Sequence, residues 1–169
     1  GDLDELYCFG ARSFSIWDGE DGHLLYDSGD ELERRTAGEY PMNFNADNDE
    51  NDIDSRSDNK GPEPEAATVG VIDGRTYAFI GLERIGGIMV YDVSTPTAPT
   101  FQWYVNNRDF HVSPGRFGLD AVGDLGPECI LFVAEKESPT GQPMLIVANE
   151  VSGTTTFYDV VVDRETRRK

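Results

Sequence analysis

Apolar and β-branched residues in this chain fall in short runs bounded by Gly, Pro, Asn and Asp. That pattern predicts strands joined by turns rather than amphipathic helices. Three runs open the chain, at residues 6–11, 14–17 and 24–26, the last two separated by the turn "DGEDG". Only "SGDELERRTAG" (residues 28–38) reads as a helix: Ser28 and Glu31 stand at capping-box spacing and Gly38 supplies a stop. From residue 61 the pattern repeats. "GPEPEAATVGVIDGRTYAFIGLERIGGIMVYDV" (61–93) aligns with "GPECILFVAEKESPTGQPMLIVANEVSGTTTFYDV" (126–160) through Gly-Pro-Glu, a strand, a Gly-containing turn, a second strand, a glycine turn and a third strand closing on Tyr-Asp-Val. The alignment puts Glu83 opposite Glu150, and "TFQWYV" (100–105) reads as a fourth, outer strand of the first unit. The opening "FGARSFSIWD" resembles the later part of the unit, "IGLERIGGIMVYD", with Arg12 near the glutamate position.

A repeated unit of three or four antiparallel strands has the form of a β-propeller blade. The predicted fold is therefore all-β: a partial β-propeller of two full blades and part of a third, with one short helix. A β-sandwich of two similar hairpin sets would use the same strands, but sandwiches seldom repeat so faithfully. Propellers typically hold four to eight blades. Residues 1–169 are accordingly expected to form the C-terminal segment of a propeller, completed by the rest of that propeller or by another polypeptide chain.

Composition fits a globular chain: 38% hydrophobic residues and 11% aromatics are enough for a core. A formal charge of −18 repels nucleic acid and anionic membrane, which removes both as partners, and attracts cations. No apolar run approaches the length of about 20 residues that spans a bilayer. Cys8 and Cys129 both fall in predicted strands and are expected as buried, inert thiols, with a single disulfide between them as the alternative in an oxidising compartment. Residues 43–65 hold eight carboxylates against Arg56 and Lys60, so this stretch is either a loop ordered by a cation and its neighbours or a disordered linker. Its aspartates, Asp47, Asp49, Asp52, Asp54 and Asp58, do not have EF-hand spacing.

The stretches "DSRSDNKGPEPE", "YAFIGLERIGGIMVYDV", "YVNNRDF", "DLGPE" and "MLIVANEVSGTTTFYDV" together resemble the choice-of-anchor I proteins of bacteria and the related mesenchyme-specific cell surface glycoproteins of biomineralising animals. The resemblance implies a secreted or surface-attached protein and a β-propeller related to the phytase-like propellers. Some members carry alkaline phosphatase names and others are linked to calcium mineral. Where members usually have glycine after "PEPE" and after "GPE", this chain has Ala66 and Cys129, which removes two places where backbone could approach a ligand closely.

Gly-Pro sets a rigid, extended approach to each unit's first strand. The glutamates that follow, Glu63 or Glu65 and Glu128, are then expected around one axis, with Glu83 and Glu150 on the same rim. Such oxygen ligands suit Ca²⁺, the candidate cofactor, which takes 6–8 oxygens at about 2.3–2.6 Å; Asp54 and Asp58 are further candidate ligands. The same glutamates could instead cap backbone N–H groups, or pair with Arg84, Arg108 or Arg12. Arg56 and Lys60, beside these carboxylates, are candidate phosphate-holding catalytic residues, or they simply neutralise the acidic loop. No nucleophile elbow, zinc-spaced His or Cys pair, or P-loop occurs. Two functions follow: an extracellular or cell-surface calcium-binding segment acting in structural assembly or mineral association, or a metal-dependent phosphoesterase.

Overall fold

The computed structural model describes residues 10, 12–114, 118 and 121–162. Among them are nine strands in three antiparallel sheets and one α-helix. β1 (Ser15–Trp17) and β2 (Leu24–Asp27) form the first sheet; α1 (Glu31–Glu39) follows. β3 (Pro64–Ile72), β4 (Arg75–Leu82), β5 (Ile88–Asp92) and β6 (Thr100–Val105) form the central sheet in chain order, and β7 (Pro127–Val133), β8 (Met144–Asn149) and β9 (Thr154–Asp159) the third. Among the described residues the fold is mostly β with one α-helix, and no barrel closes. The strand predicted at residues 6–11 lies, apart from Gly10, outside the described residues, as does Cys8.

Local chemistry sets the hairpins. β3 and β4 meet across Asp73-Gly74, both left-handed at φ 51° and 75°, the two-residue turn whose twist matches the flanking strands. The helix starts without its predicted box: Asp30 occupies the cap position, its side chain accepting Arg34 Nε rather than capping a backbone N–H, while Ser28 Oγ accepts the Phe14 N–H at 3.0 Å and ties the helix approach to β1.

Side chains alternate across a strand, so each sheet has two faces. On the central sheet, Ile80, Met89 and Tyr91, with Val93 just after β5, point one way and pack against Ile16 of β1, the preceding Phe14 and Leu32 of α1. Phe79, Ile88 and Val90 point the other way and pack against Ile130, Leu145, Val147 and Tyr158 of the third sheet. The pairing registers make Leu145, Val147 and Tyr158 the counterparts of Ala78, Ile80 and Tyr91. Thus the face the third sheet turns inward matches the face the central sheet turns toward the first. The sheets stack head to tail, each presenting a "head" face to the "tail" face of its predecessor in the stack. A two-sheet sandwich with like faces inward is not what forms. Gly70 permits one close approach: a Cβ there would lie 2.5 Å from the Phe132 ring, which stacks on Phe79 at 5.8 Å between centroids.

The acidic stretch is ordered, and an arginine organises it. Arg108 is 5% exposed, and its guanidinium donates to the carbonyls of Asp47, Glu50 and Arg84 and to Asn51 Oδ1 at 2.6–3.0 Å. Arg12 adds bonds to the Ser57 and Asn59 carbonyls and to Glu33. Between them these two side chains satisfy loop carbonyls that burial would otherwise leave unpaired.

Candidate metal centre at the strand mouths

The mouths of β3 and β7 are built alike, but not in the register the sequence alignment gives. Pro64 pairs with Leu82 and Ala66 with Gly81, skipping Glu65; Pro127 pairs with Asn149 and Cys129 with Ala148, skipping Glu128. Glu65 and Glu128 are therefore equivalent bulged residues, and a bulge re-aims its side chain. One step earlier, the Glu83 N–H bonds the Glu63 carbonyl at 2.9 Å and the Glu150 N–H bonds the Gly126 carbonyl at 2.8 Å. Glu63 thus matches Gly126, and it is the second Pro-Glu of "GPEPE" that corresponds to "GPE". Ala66 and Cys129, the two glycine replacements, occupy one equivalent position. Cys129 is exposed, which corrects the expectation of a buried thiol.

This geometry gathers three of the predicted ligands. One carboxylate oxygen from each of Glu63, Glu65 and Glu83 lies within 4.8 Å of the others. They come from the mouth of β3 and the end of β4, adjacent antiparallel strands. Glu83 is 3% exposed; its Oε1 accepts Asn48 Nδ2 at 3.0 Å, while its buried Oε2 takes no hydrogen bond although Arg84 Nη2 lies 3.2 Å away. Glu63 is held by side chains, pairing with Lys60 and accepting Arg84 Nε at 2.5 Å, rather than capping backbone N–H groups. Asp47, which the sequence reading placed only in the acidic loop, joins the network through Arg56 at 3.1 Å and Arg84 at 3.4 Å.

Crowding in this half-buried site splits the acidities of Glu63 and Glu83. Burial, reinforced by hydrogen bonding with Glu63, pushes Glu83 up to about 8, against the opposing pull of Arg84. Burial would also raise Glu63, but hydrogen bonds with Glu83, Lys60 and Arg84 outweigh it and hold Glu63 down to about 2. At neutral pH the pair's shared proton sits on Glu83.

The other predicted ligands lie outside this cluster. Glu128 is exposed; loss of hydration, then the charges of Glu65, Glu150 and Glu63, raise its pKa, so the acidic field runs continuously from one repeat to the next. Glu150 is exposed beside it, with Val151 where the first repeat has Arg84. Asp54 and Asp58 are exposed on the loop, and Asp54 accepts the Ser57 hydroxyl at 2.5 Å. The two candidate phosphate-holding residues, Arg56 and Lys60, are each engaged by a carboxylate, Asp47 and Glu63 respectively. Arg84, the cation common to Glu63, Glu83 and Asp47, was legible only as one possible ion-pair partner in "GLER".

Comparison with known proteins places this geometry in context. Residues 1–96 match the family model of the choice-of-anchor I domain. The chain is 33% identical over 168 residues to Gigasin-3a of Magallana gigas, covering 95% of this chain and 59% of that protein. It is 29% identical over 172 residues to the mesenchyme-specific cell surface glycoprotein of Strongylocentrotus purpuratus, covering 94% of this chain and 19% of that protein. The chain therefore spans less than two thirds of the first relative and about a fifth of the second. No solved structure matches it.

Proposed function

Since the chain belongs to the choice-of-anchor I domain family, we propose that it is an extracellular or cell-surface segment of a β-propeller, binding Ca²⁺ and acting in structural assembly or mineral association. The extracellular role is drawn from the cell-surface glycoprotein relative. The head-to-tail stacking of its sheets supports the propeller, since a ring of blades needs each blade to offer one kind of face and receive the other.

The observation that carries the calcium reading is Glu83: a buried carboxyl whose Oε2 accepts no hydrogen bond, grouped with two further carboxylates. Buried acceptors are rarely left so, and a bound ion is one of the standard reasons. Glu63, Glu65 and Glu83 would hold the ion, with water completing a shell of about 6–8 oxygens. Lys60 and Arg84 already balance part of the charge, which points to the weak affinities of extracellular modules, about 10⁻⁴–10⁻³ M. A thermal melt of the whole chain with and without Ca²⁺ tests this: a Ca²⁺-dependent rise in Tm lost in Glu65→Gln is expected, and an unchanged Tm at millimolar Ca²⁺ argues against it.

The metal-dependent phosphoesterase is a second reading, favoured by the placing of Lys60 and Arg84 against the same carboxylates. Its weakness is that Arg56 and Lys60 already carry carboxylate partners that a phosphate would have to displace. Ca²⁺-dependent hydrolysis of a generic phosphate ester, abolished in Lys60→Gln, would favour it.

A further inference from the structure

The cluster of Glu63, Glu65 and Glu83 already carries two of the chain's own cations, and the two are held differently. Arg84 is fixed in place. Its guanidinium reaches Glu63 Oε2 at 2.5 Å, Glu83 Oε2 at 3.2 Å and Asp47 Oδ1 at 3.4 Å, and its carbonyl accepts Arg108 Nη1 at 3.0 Å. A planar fork that bridges three carboxylates cannot turn away without losing all of them. Lys60 is held more loosely: its ammonium pairs with Glu63 Oε1, and its side chain is 34% exposed against 19% for Arg84. A point charge on a flexible four-carbon stem can swing into solvent at the cost of that contact. The charge of Glu65 acts on the same ammonium, so Lys60 sits in the field of two of the three carboxylates that would hold the ion.

We propose that Lys60 is a tethered stand-in for the metal: Ca²⁺ enters by displacing its ammonium from Glu63, and the tether sets both the affinity of the site and its preference for divalent ions. The inference rests on the calcium reading above. Both oxygens of Glu63 carry a cation, so an ion coordinated there meets a like charge at close range unless one of the two leaves. Charge balance says that one leaves and no more. Metal-bound carboxylates are ionised, so three carboxylates face three positive charges, two on Ca²⁺ and one on Arg84. Keeping Lys60 would leave a positive charge over, beside side chains that are nearly buried, where an unbalanced charge is costly. A monovalent ion in place of Lys60 only exchanges one unit charge for another, and it competes with a group the chain supplies at high effective concentration. A divalent ion gains a charge by the exchange. Lys60 therefore favours Ca²⁺ over Na⁺ or K⁺.

Calorimetric Ca²⁺ titration of the parent chain, Lys60→Gln and Lys60→Arg tests it, together with lysine acetylation of the parent read by mass spectrometry. Lys60→Gln removes the competing charge and should tighten Ca²⁺ binding about tenfold, the order of one hydrogen bond to a charged group. Lys60→Arg keeps the charge and should not tighten it. In Lys60→Gln, exchanging choline chloride for sodium chloride at fixed ionic strength should weaken Ca²⁺ binding more than it does in the parent. Ca²⁺ should quicken acetylation of Lys60 in the parent, with the exposed Lys136 as internal reference. Three results would overturn the displacement and leave the calcium site standing: equal or weaker binding in Lys60→Gln than in the parent, an equal gain in Lys60→Arg, or acetylation of Lys60 that Ca²⁺ slows or leaves unchanged. No binding by either the parent or Lys60→Gln at millimolar Ca²⁺ would remove the calcium reading itself, and this inference with it.

Discussion

Glu63 and Gly126 occupy one position in two copies of a strand mouth. Both are left-handed, at φ 52° and 72°, and the carbonyl of each accepts the N–H of the glutamate that ends the next strand. Glycine adopts that conformation without strain; a residue with a Cβ does so at a cost of about 1–2 kcal/mol. The first repeat bears this cost and in return points a carboxylate at Glu65 and Glu83.

Glu63→Gly converts the first mouth to the second. The relieved backbone should offset much of the lost pairing with Lys60 and Arg84, so the metal-free Tm should move by only a few degrees. Stabilisation by Ca²⁺ should disappear. A large loss of Tm without metal would show Glu63 to be a structural ion-pair partner instead.

The split acidities give a pH signature. Glu83 titrates near 8 in the folded chain against 4.5 ordinarily, so the folded state holds its proton more tightly and this contribution falls as pH rises from about 4.5 to 8. Glu63 has the opposite sign: its contribution is present above 4.5 and lost as pH falls toward 2. Glu83→Gln should therefore flatten the decline in Tm between pH 5 and 8 that the parent shows, and leave the acid limb intact. An identical decline in the variant would contradict this.

Arg108 is the latch of the acidic loop. Arg108→Met leaves the carbonyls of Asp47, Glu50 and Arg84 without their donor and should cost about 3 kcal/mol. Hydrogen exchange in residues 43–63 should quicken far more than in β8 or β9. Uniform protection in the variant would mean that the loop is held by something else.

Asp124 ties the third sheet to the segment after β6. It accepts Thr154 Oγ1 at 2.6 Å, Thr156 Oγ1 at 2.5 Å and Asn107 Nδ2 at 2.7 Å, and these bonds hold its pKa low despite burial. Asp124→Ala should lower stability by about 2 kcal/mol at neutral pH. The deficit should shrink as pH falls below 3.8, where the parent carboxylate also loses its charge; a deficit that is constant with pH would mean packing, not charge, sets the loss.

Much of this fold can be read from local pattern. Alternation and turn chemistry place β1, β2 and β6 within a residue of their observed bounds, and Tyr-Asp-Val closes β5 and β9 as the repeat requires. The strand-mouth register cannot be read that way: "GPE" matches "GPE" by letter, whereas the equivalent bulges at Glu65 and Glu128 show that the true correspondence lies two residues away. Glu63, Glu65 and Glu83 can be named from sequence as candidate ligands because all flank a strand end. The contacts that join Asp47, Arg84 and Arg108 cannot be read from sequence, because they link residues 24 to 61 positions apart, which no local pattern encodes.

Calorimetric titration of the chain with Ca²⁺ near pH 7, in two buffers of different ionisation enthalpy, tests the metal centre most directly. Displacing the proton held by Glu83 makes binding release protons. The account predicts one site per chain, proton release in the parent, and no binding in Glu83→Gln. Binding that survives Glu83→Gln, or the absence of any binding heat in both buffers at millimolar Ca²⁺, would contradict it.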